Sequence, residues 1–374
     1  MRELRCLFMD EHFDELLDSR THLIGFINGV YDLKMHIFRE GMPDDYIFHS
    51  TKLNYIAYNE DQVEYAEIDE FFSKLFTIEN VKNYVLDIMS CIIDGSIAQE
   101  RFYIFTGQGS NGKSRLLDLI QKAVGDYYCI MPIALLTQKR AASNSAQSEL
   151  ERTKGRRFAV MQEPSEQDKI NIGFMKELSG NDRIITRGLY KEPTEFKPQF
   201  KMILTCNELP EVPSDDGGTW RRIRVVEFTS RFCENPQKPN EFAMDLELSD
   251  KFDRWAEPFF SMLIERHKNI SPNNIPEPME VRIATESYKN NNDVIGQFIN
   301  DRIIIDKDAP DERIGIANLN NDFRVWSHDN IPKNKARRPD RNQIKAYFEK
   351  LLGAYPIDNK GWKGLKYKHV EEDE

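Results

Sequence analysis

Cysteine is scarce in this 374-residue chain, and its five copies (Cys6, Cys91, Cys129, Cys206, Cys233) are scattered singly, with no CxxC or Cys/His spacing. An odd, dispersed set excludes a disulfide framework, argues against structural zinc and predicts an intracellular, reducing setting. Long apolar runs are missing too. Nothing reaches the roughly 18 residues that a spanning helix requires, so no place in a membrane is expected. The first twenty residues carry acids and bases throughout and lack an apolar stretch, so they do not read as a secretory signal. Repeats and low-complexity tracts are absent, and only Glu371–Glu374 reads as a frayed tail. With 40% hydrophobic and 30% charged residues, disorder of the whole chain is excluded, and the length predicts two or three domains.

A basic excess is also lacking. The net charge of −11 argues at first against nucleic acid, but the first 100 residues hold 20 acids against 8 bases, and the other 274 are balanced. Within those, Ile331–His369 carries 11 Lys/Arg against Asp340, Glu349 and Asp358. Association follows the local field, so the acidic total excludes little.

The chain is punctuated rather than uniform. Asn28-Gly29 between apolar pairs predicts a hairpin in the first 60 residues. Apolar residues at helical intervals from Ile68 to Ile93 predict one or two amphipathic helices. From Arg101 onward, short apolar strands (Phe102–Phe105, Phe158–Met161, Met202–Thr205, Ile223–Phe228) alternate with helical segments, the pattern of an α/β fold with a central parallel sheet. Leu246–His267 reads as helix and Ser271–Pro278 as a linker. Beyond it, helices at Leu319–Trp326 and Gln343–Leu352 precede a short hairpin predicted at Gly361–Tyr367. Helices followed by a β-wing predict a winged-helix-like, basic C-terminal domain. The domain boundaries that follow are 1–65, 66–100 (a helical collar), 101–230 (the core), 231–278 (helical region and linker) and 279–374. His267 and His369 stand alone and are expected to face solvent.

Gly107-Gln108-Gly109-Ser110-Asn111-Gly112-Lys113-Ser114 matches the phosphate-binding loop pattern in full, between an apolar strand and a helix whose Leu116, Leu117, Ile120, Ala123 and Val124 share one face. Glycines let successive N–H groups turn inward onto phosphate oxygens, and the helix N-terminus adds partial positive charge. The loop residues with Arg115 form the expected ATP-binding set: Lys113 reaches the β- and γ-phosphates, and Ser114 offers its oxygen to Mg2+. Arg156–Pro164 is a strand ending in Glu163, a carboxylate placed to orient water and to help hold the metal, although Gln162 stands where a first metal carboxylate is common. Lys201–Asn207 is a further strand, ending in an amide suited to sensing the γ-phosphate. Arg221 and Arg222, after the flexible Gly217-Gly218, suit a finger that reaches a neighbouring subunit's phosphate, while the Arg222/Arg224 alternation also reads as the solvent face of a strand.

In that order, Lys113, Glu163, Asn207 and Arg221/Arg222 resemble the superfamily 3 helicases of the AAA+ class. The likeness is greatest to the helicase part of poxvirus-type helicase-primases of large DNA viruses and of related phage and plasmid primases. It is carried by GQGSNGKS, RFAVMQEP, the stretch from KELSGNDR to ILTCNELP, and DDGGTWRRIRVVEF. GFINGVYDL with FREGMPDDY looks like that family's N-terminal segment. The resemblance implies an ATP-dependent DNA helicase, an ATP hydrolase that assembles as a hexameric ring and translocates 3′ to 5′ on single-stranded or forked DNA. It implies primase and other replication proteins as partners and, for a virus, work at the site of viral DNA replication in the host cell. No primase active site is recognisable, so a helicase fragment or stand-alone relative is expected. The family's pore hairpin falls here at Gly180–Pro193, where Lys191, Arg187 and Tyr190 are the expected DNA contacts. Two readings compete: a packaging motor or small-molecule kinase, which would need a paired Asp-Glu or an acceptor lid, and a DNA-binding scaffold that uses ATP only to assemble.

Overall fold

A computed structural model of the chain describes residues 13–96, 99–138, 147–165, 168–190, 192–213, 216–306, 309, 311–331 and 338–368. The chain forms two compact units. The first gathers Met1–Pro164, Ile170–Leu209 and Asp216–Thr285, and the second Ser165–Lys169, Pro210–Asp215 and Glu286–Glu374.

The first unit opens with a three-stranded antiparallel sheet, β1 (Leu23–Phe26), β2 (Gly29–Asp32) and β3 (Ile37–Arg39). Phe26 pairs with Gly29, so the predicted hairpin turns through Ile27-Asn28. Two helices follow, α1 (Val63–Leu75) and α2 (Glu79–Ile92). Ile68, Phe71, Phe72 and Leu75 in α1 and Val81, Val85, Ile88, Met89 and Ile92 in α2 are buried, which is the face their three- and four-residue spacing implies.

The centre is a five-stranded sheet of β4 (Phe102–Thr106), β5 (Tyr128–Ile130), β6 (Phe158–Gln162), β9 (Lys201–Cys206) and β10 (Ile223–Glu227). It is ordered β10-β4-β9-β6-β5, and every pairing is parallel. β4 and β9 are buried at every position, as expected of inner strands covered on both faces. Sequence periodicity missed β5. It is a three-residue edge strand after α3 (Lys113–Val124), too short to show a period. Helix α4 (Ile172–Ser179) leads into a hairpin of β7 (Ile184–Arg187) and β8 (Pro193–Phe196). A small parallel pair, β11 (Arg231–Cys233) and β12 (Glu241–Ala243), precedes α5 (Leu248–Lys268), whose Phe252, Trp255, Phe259, Phe260 and Leu263 enter the same core as α1, α2 and α3. The unit boundary falls inside α6 (Met279–Asn292).

Two cations are buried where β6 and β9 begin. The guanidinium of Arg157 donates to the carbonyls of Ile93 and Leu23 and lies 4.4 Å over the Tyr127 ring. The Lys201 ammonium donates to the Asp94 carbonyl, and burial pulls its pKa from 10.5 down to about 8. The folded state therefore holds fewer protons than the unfolded chain between about pH 8 and 10.5, so stability attributable to this group rises with pH across that window. Below it, the buried charge carries its full penalty. Lys201→Met is expected to stabilise the fold by about 1–3 kcal/mol at pH 7, an advantage that shrinks above pH 8. Denaturant titrations of both proteins at pH 7 and pH 9.5 measure it. His267, expected at the surface, is buried with neither ring nitrogen hydrogen-bonded, and burial lowers its pKa.

The second unit holds α7 (Val294–Arg302), β13 (Ile303–Ile305), β14 (Arg313–Ile314), α8 (Ile316–Asn330), α9 (Arg341–Leu352), β15 (Trp362–Lys363) and β16 (Leu365–Tyr367). Its own core is built on Phe298, Leu319, Phe323, Trp326, Ile344, Phe348 and Trp362. Asp340 caps α9, accepting from the Asn342 and Gln343 N–H groups. The hairpin predicted at Gly361–Tyr367 does not form. β15 pairs with β14 and β16 with β13, both antiparallel, because the single residue Gly364 between them is too short a turn to fold one back on the other. Lys333, Lys335, Arg337 and His369, part of the basic stretch, lie outside the described residues.

Candidate functional site

The glycine loop leaves the C-terminal end of β4, a strand held on both sides by β9 and β10. Gly107 (φ +147°) and Gly112 (φ +85°) occupy conformations disfavoured for L-residues, and a Cβ at Gly112 would lie 2.3 Å from the Leu75 side chain. Ser110, at φ +61°, accepts the Phe232 N–H at 2.7 Å, which ties the loop to β11. Above Gly109 the space is open, as a cradle for an oxyanion requires. Helix α3 begins directly at Lys113, with Gly112 as its N-cap and no side-chain cap. The Lys113 N–H donates to Asn111 Oδ1 at 3.3 Å, and the N–H groups that follow it in the first turn face the end where an anion would sit. Gln108, Ser114 and Arg115 are exposed at the loop, and Arg115 pairs with Asp118 at 3.4 Å.

Lys113 is only 8% exposed, and its ammonium donates to the Gly107 carbonyl (2.5 Å) and to Asn207 Oδ1 (3.2 Å). Burial lowers its pKa, with no carboxylate at hand to offset it. Asn111 is buried with its Nδ2 unpartnered. An uncompensated ammonium and an orphaned donor beside an open glycine cradle fit phosphate oxygens. The structure thus joins Lys113 and Asn207, 94 residues apart, because β4 and β9 are neighbours that end level, Thr106 beside Cys206.

Glu163 follows the Gln162↔Thr205 pair, and its N–H donates to the Thr205 carbonyl at 3.0 Å. This places it at the same edge of the sheet as Asn207. It is exposed, as is Gln162, and sits at φ +50°, a strained conformation for a residue with a side chain. Among the described residues no three His, Cys, Asp or Glu side chains cluster as a metal site. A divalent cation here would rest on Ser114, Glu163 and ligand oxygens.

Beside the loop opens a cavity of about 420 Å3, lined by Ser110, Gly112 and Arg115 on one side and by Phe71, Phe232 and Trp255 on another. From sequence, Phe71 and Trp255 read as residues of helices and Phe232 falls in the region read as helical. Nothing in their spacing marks a pocket.

Arg221 and Arg222 lie elsewhere. They precede β10, whose first residue Ile223 pairs with Phe102, at the opposite end of β4 from Gly107. Five strand residues separate the two ends, roughly 17 Å. Both arginines donate to Glu100 Oε2, at 2.7 Å and 2.5 Å. Their exposures differ: the Arg222 side chain is 10% exposed and also donates to the Gly218 carbonyl, whereas Arg221 is 62% exposed. Arg224 is no solvent-face residue either, since it pairs with Glu277 at 2.5 Å, and Arg101 joins Glu277 to the Arg221 carbonyl. Glu100 escaped sequence reading because its partners lie 121 and 122 residues away.

The hairpin presents Tyr190 at its tip, 97% exposed and at φ +60°. Arg187 closes β7 opposite Pro193. Lys191 lies outside the described residues.

Comparison with known proteins adds two family models. Residues 1–77 match one described as D5 N terminal like, and residues 105–222 match a family of unknown function, DUF5906. The chain is 36% identical to "Putative helicase L207/L206" of Acanthamoeba polyphaga mimivirus, over 95% of its own length and 38% of that protein. It is 22% identical to "Putative primase C962R" of African swine fever virus, over its full length and 40% of that protein. Among solved structures, the apo C-terminal region of NrS-1 is similar at 16% identity and TM-score 0.47, covering 67% of this chain and 55% of that one. The chain is a homologue of the proteins that bear helicase and primase names in large DNA viruses, and it spans about two fifths of the length of the mimivirus and African swine fever virus proteins.

Proposed function

We propose that this relative of viral helicase and primase proteins is an ATP-dependent motor of the superfamily 3, AAA+ type, working as a hexameric ring that draws single-stranded DNA 3′ to 5′ through its centre. The observation that carries the reading is the split of its parts. Lys113, Asn207 and Glu163 gather at one end of the sheet, while Arg221 stands exposed at the other, at the far end of β4 from its own cradle.

In this reading the backbone N–H groups of Gly109–Ser114 and the Lys113 ammonium hold the β- and γ-phosphates. Ser114 and Glu163 would hold Mg2+, which would supply charge neutralisation at the phosphates. Glu163 orients the attacking water and accepts its proton, and Asn207 registers whether the γ-phosphate is present through its bond to Lys113. Arg221 of the adjacent copy stabilises the charge that develops on the transferred group. The cavity lined by Phe71, Phe232 and Trp255 gives the nucleoside an aromatic wall next to the cradle. Tyr190 and Arg187 on the hairpin meet the strand by stacking and by charge. The second unit, winged-helix-like in this reading, presents Arg341, Lys345 and Lys350 along α9 and Lys360 and Lys363 near β15 to duplex or forked DNA. No described helix is long and apolar enough to cross a membrane. A viral replication site in the host cell suits this function.

Strand separation of a forked duplex, measured alongside the mass of the assembly, tests the reading. Unwinding that requires ATP and a ring-sized species is expected. ATP hydrolysis by a monomer with no strand separation at any concentration would instead point to a kinase or a packaging-type ATPase.

A further inference from the structure

A second groove in the first unit belongs to neither the nucleotide cradle nor the hairpin tip. Its volume is about 560 Å3, and it opens at the hairpin's stem, where Lys154, Arg183 and Lys197 line it with Asn181, Gln199 and Asn273. Two acids, Glu15 and Glu195, also reach it.

The placement of the cations is unusual. Ile184 pairs with Phe196 as the last pair of the ladder, and the exposed Arg183 and Lys197 flank that pair just outside the two strands. Like charges in that relation repel and weaken a hairpin. Neither has an ion pair or hydrogen bond to another described residue, and the Lys154 ammonium donates only to the Asp14 carbonyl, at 2.6 Å. The amides are poised as well: Gln199 Nε2 donates to the Asp18 carbonyl at 2.7 Å, while its Oε1 is buried without a donor. Alternation along a strand puts Arg187 on the same face as Arg183, roughly 13 Å away. Tip and groove therefore form one line down the hairpin.

We propose that this groove binds the sugar–phosphate backbone of a single nucleic-acid strand, continuing the track that begins at Tyr190 and Arg187. Arg183, Lys197 and Lys154 take the phosphate oxygens, whose charge relieves the repulsion within the pair. Asn181 and Gln199 meet sugar or base edges, the acceptor of Gln199 receiving an amino or hydroxyl donor. The proposal rests on the single-strand reading of the hairpin and adds to it residues outside the expected contacts Lys191, Arg187 and Tyr190.

The test is fluorescence anisotropy of a labelled thymidine 30-mer on the full chain without nucleotide, titrated across salt. For Arg183→Gln/Lys197→Gln the expected result is a five- to thirtyfold weaker Kd at low salt and a salt slope smaller by about 1.4, the loss of two phosphate contacts on a single strand. Tyr190→Ala is expected to weaken binding with the slope unchanged, since stacking releases no counterions. The double variant should melt no lower than the parent, because it removes a repulsive pair. An unchanged Kd and slope in the double variant, with the parent binding normally, overturns the groove and leaves the hairpin reading standing. A parent chain that binds no oligonucleotide overturns both. Competition by polyglutamate as effective as by unlabelled oligonucleotide would mark the groove as a seat for an acidic protein and likewise overturn the proposal.

Discussion

Glu163→Gln is expected to leave ATP binding within about twofold and to lower turnover by roughly 10²- to 10⁴-fold, the range lost with a positioned proton acceptor. Glutamine keeps the side chain's length and shape but takes no proton from water. The residue's backbone makes the assignment sharper than sequence position alone. A side chain held at φ +50° at the tip of β6 costs on the order of 1 kcal/mol. Glu163→Gly relieves it. That variant should therefore unfold at a slightly higher temperature than the parent while losing turnover as completely as Glu163→Gln. Binding of a fluorescent nucleotide, steady-state phosphate release and a thermal melt read all three quantities. Near-parental hydrolysis in Glu163→Gln would remove this residue from the chemistry.

Arg221→Ala carries the largest expected loss, about 10³- to 10⁵-fold in turnover, with nucleotide affinity nearly intact. In the proposed ring its guanidinium completes the pocket of a neighbouring copy. Mixing Arg221→Ala with Lys113→Ala should therefore restore part of the rate: wherever the cradle of the first meets the arginine of the second, the site is whole. Arg222 plays a different part. Buried and bonded to both Glu100 and the Gly218 carbonyl, it braces the loop, so Arg222→Ala should lower stability as well as rate. Glu100 holds both arginines through one carboxylate oxygen. Glu100→Ala should cost roughly 10²-fold in turnover at unchanged nucleotide affinity, the scale of a small misplacement of a reacting group, with partial recovery in Glu100→Asp. It should also be rescued by Lys113→Ala subunits in the same way as Arg221→Ala. Mixtures that remain dead would count against a pocket shared between copies.

What the sequence disclosed and what it hid divide along physical lines. The strand–loop–helix from Phe102 to Val124 was legible because its chemistry is local: glycines at fixed offsets, then a helix face. The four longer strands of the sheet were legible because inner parallel strands read as continuous apolar runs. β5 is a three-residue edge and carried no such signal. The final strands misled because Trp362 and Tyr367 resemble the arms of a hairpin, while the one-residue gap at Gly364 forces each onto an upstream partner. His267 looked solitary and exposed, but the helix face it shares with Leu263 and Ile264 turns it inward. Within the site, Lys113 and Asn207 could be named but not joined without the β4–β9 pairing. The ladder of Glu100, Arg101, Arg221, Arg222 and Glu277 left no trace in spacing, since ion pairs across more than 100 residues obey no period. Arg224, alternating with Ile223 and Val225, showed the pattern of a solvent-facing residue, and only the position of Glu277 reveals otherwise.

The most direct measurement is the rate of ATP hydrolysis per chain as a function of chain concentration, with the assembly's mass followed in the same samples and single-stranded oligonucleotide present or absent. A rate that climbs as monomers give way to rings, and climbs further with oligonucleotide, is expected if each pocket is finished by a neighbour's Arg221. A full rate from monomers, flat across dilution and indifferent to oligonucleotide, contradicts it.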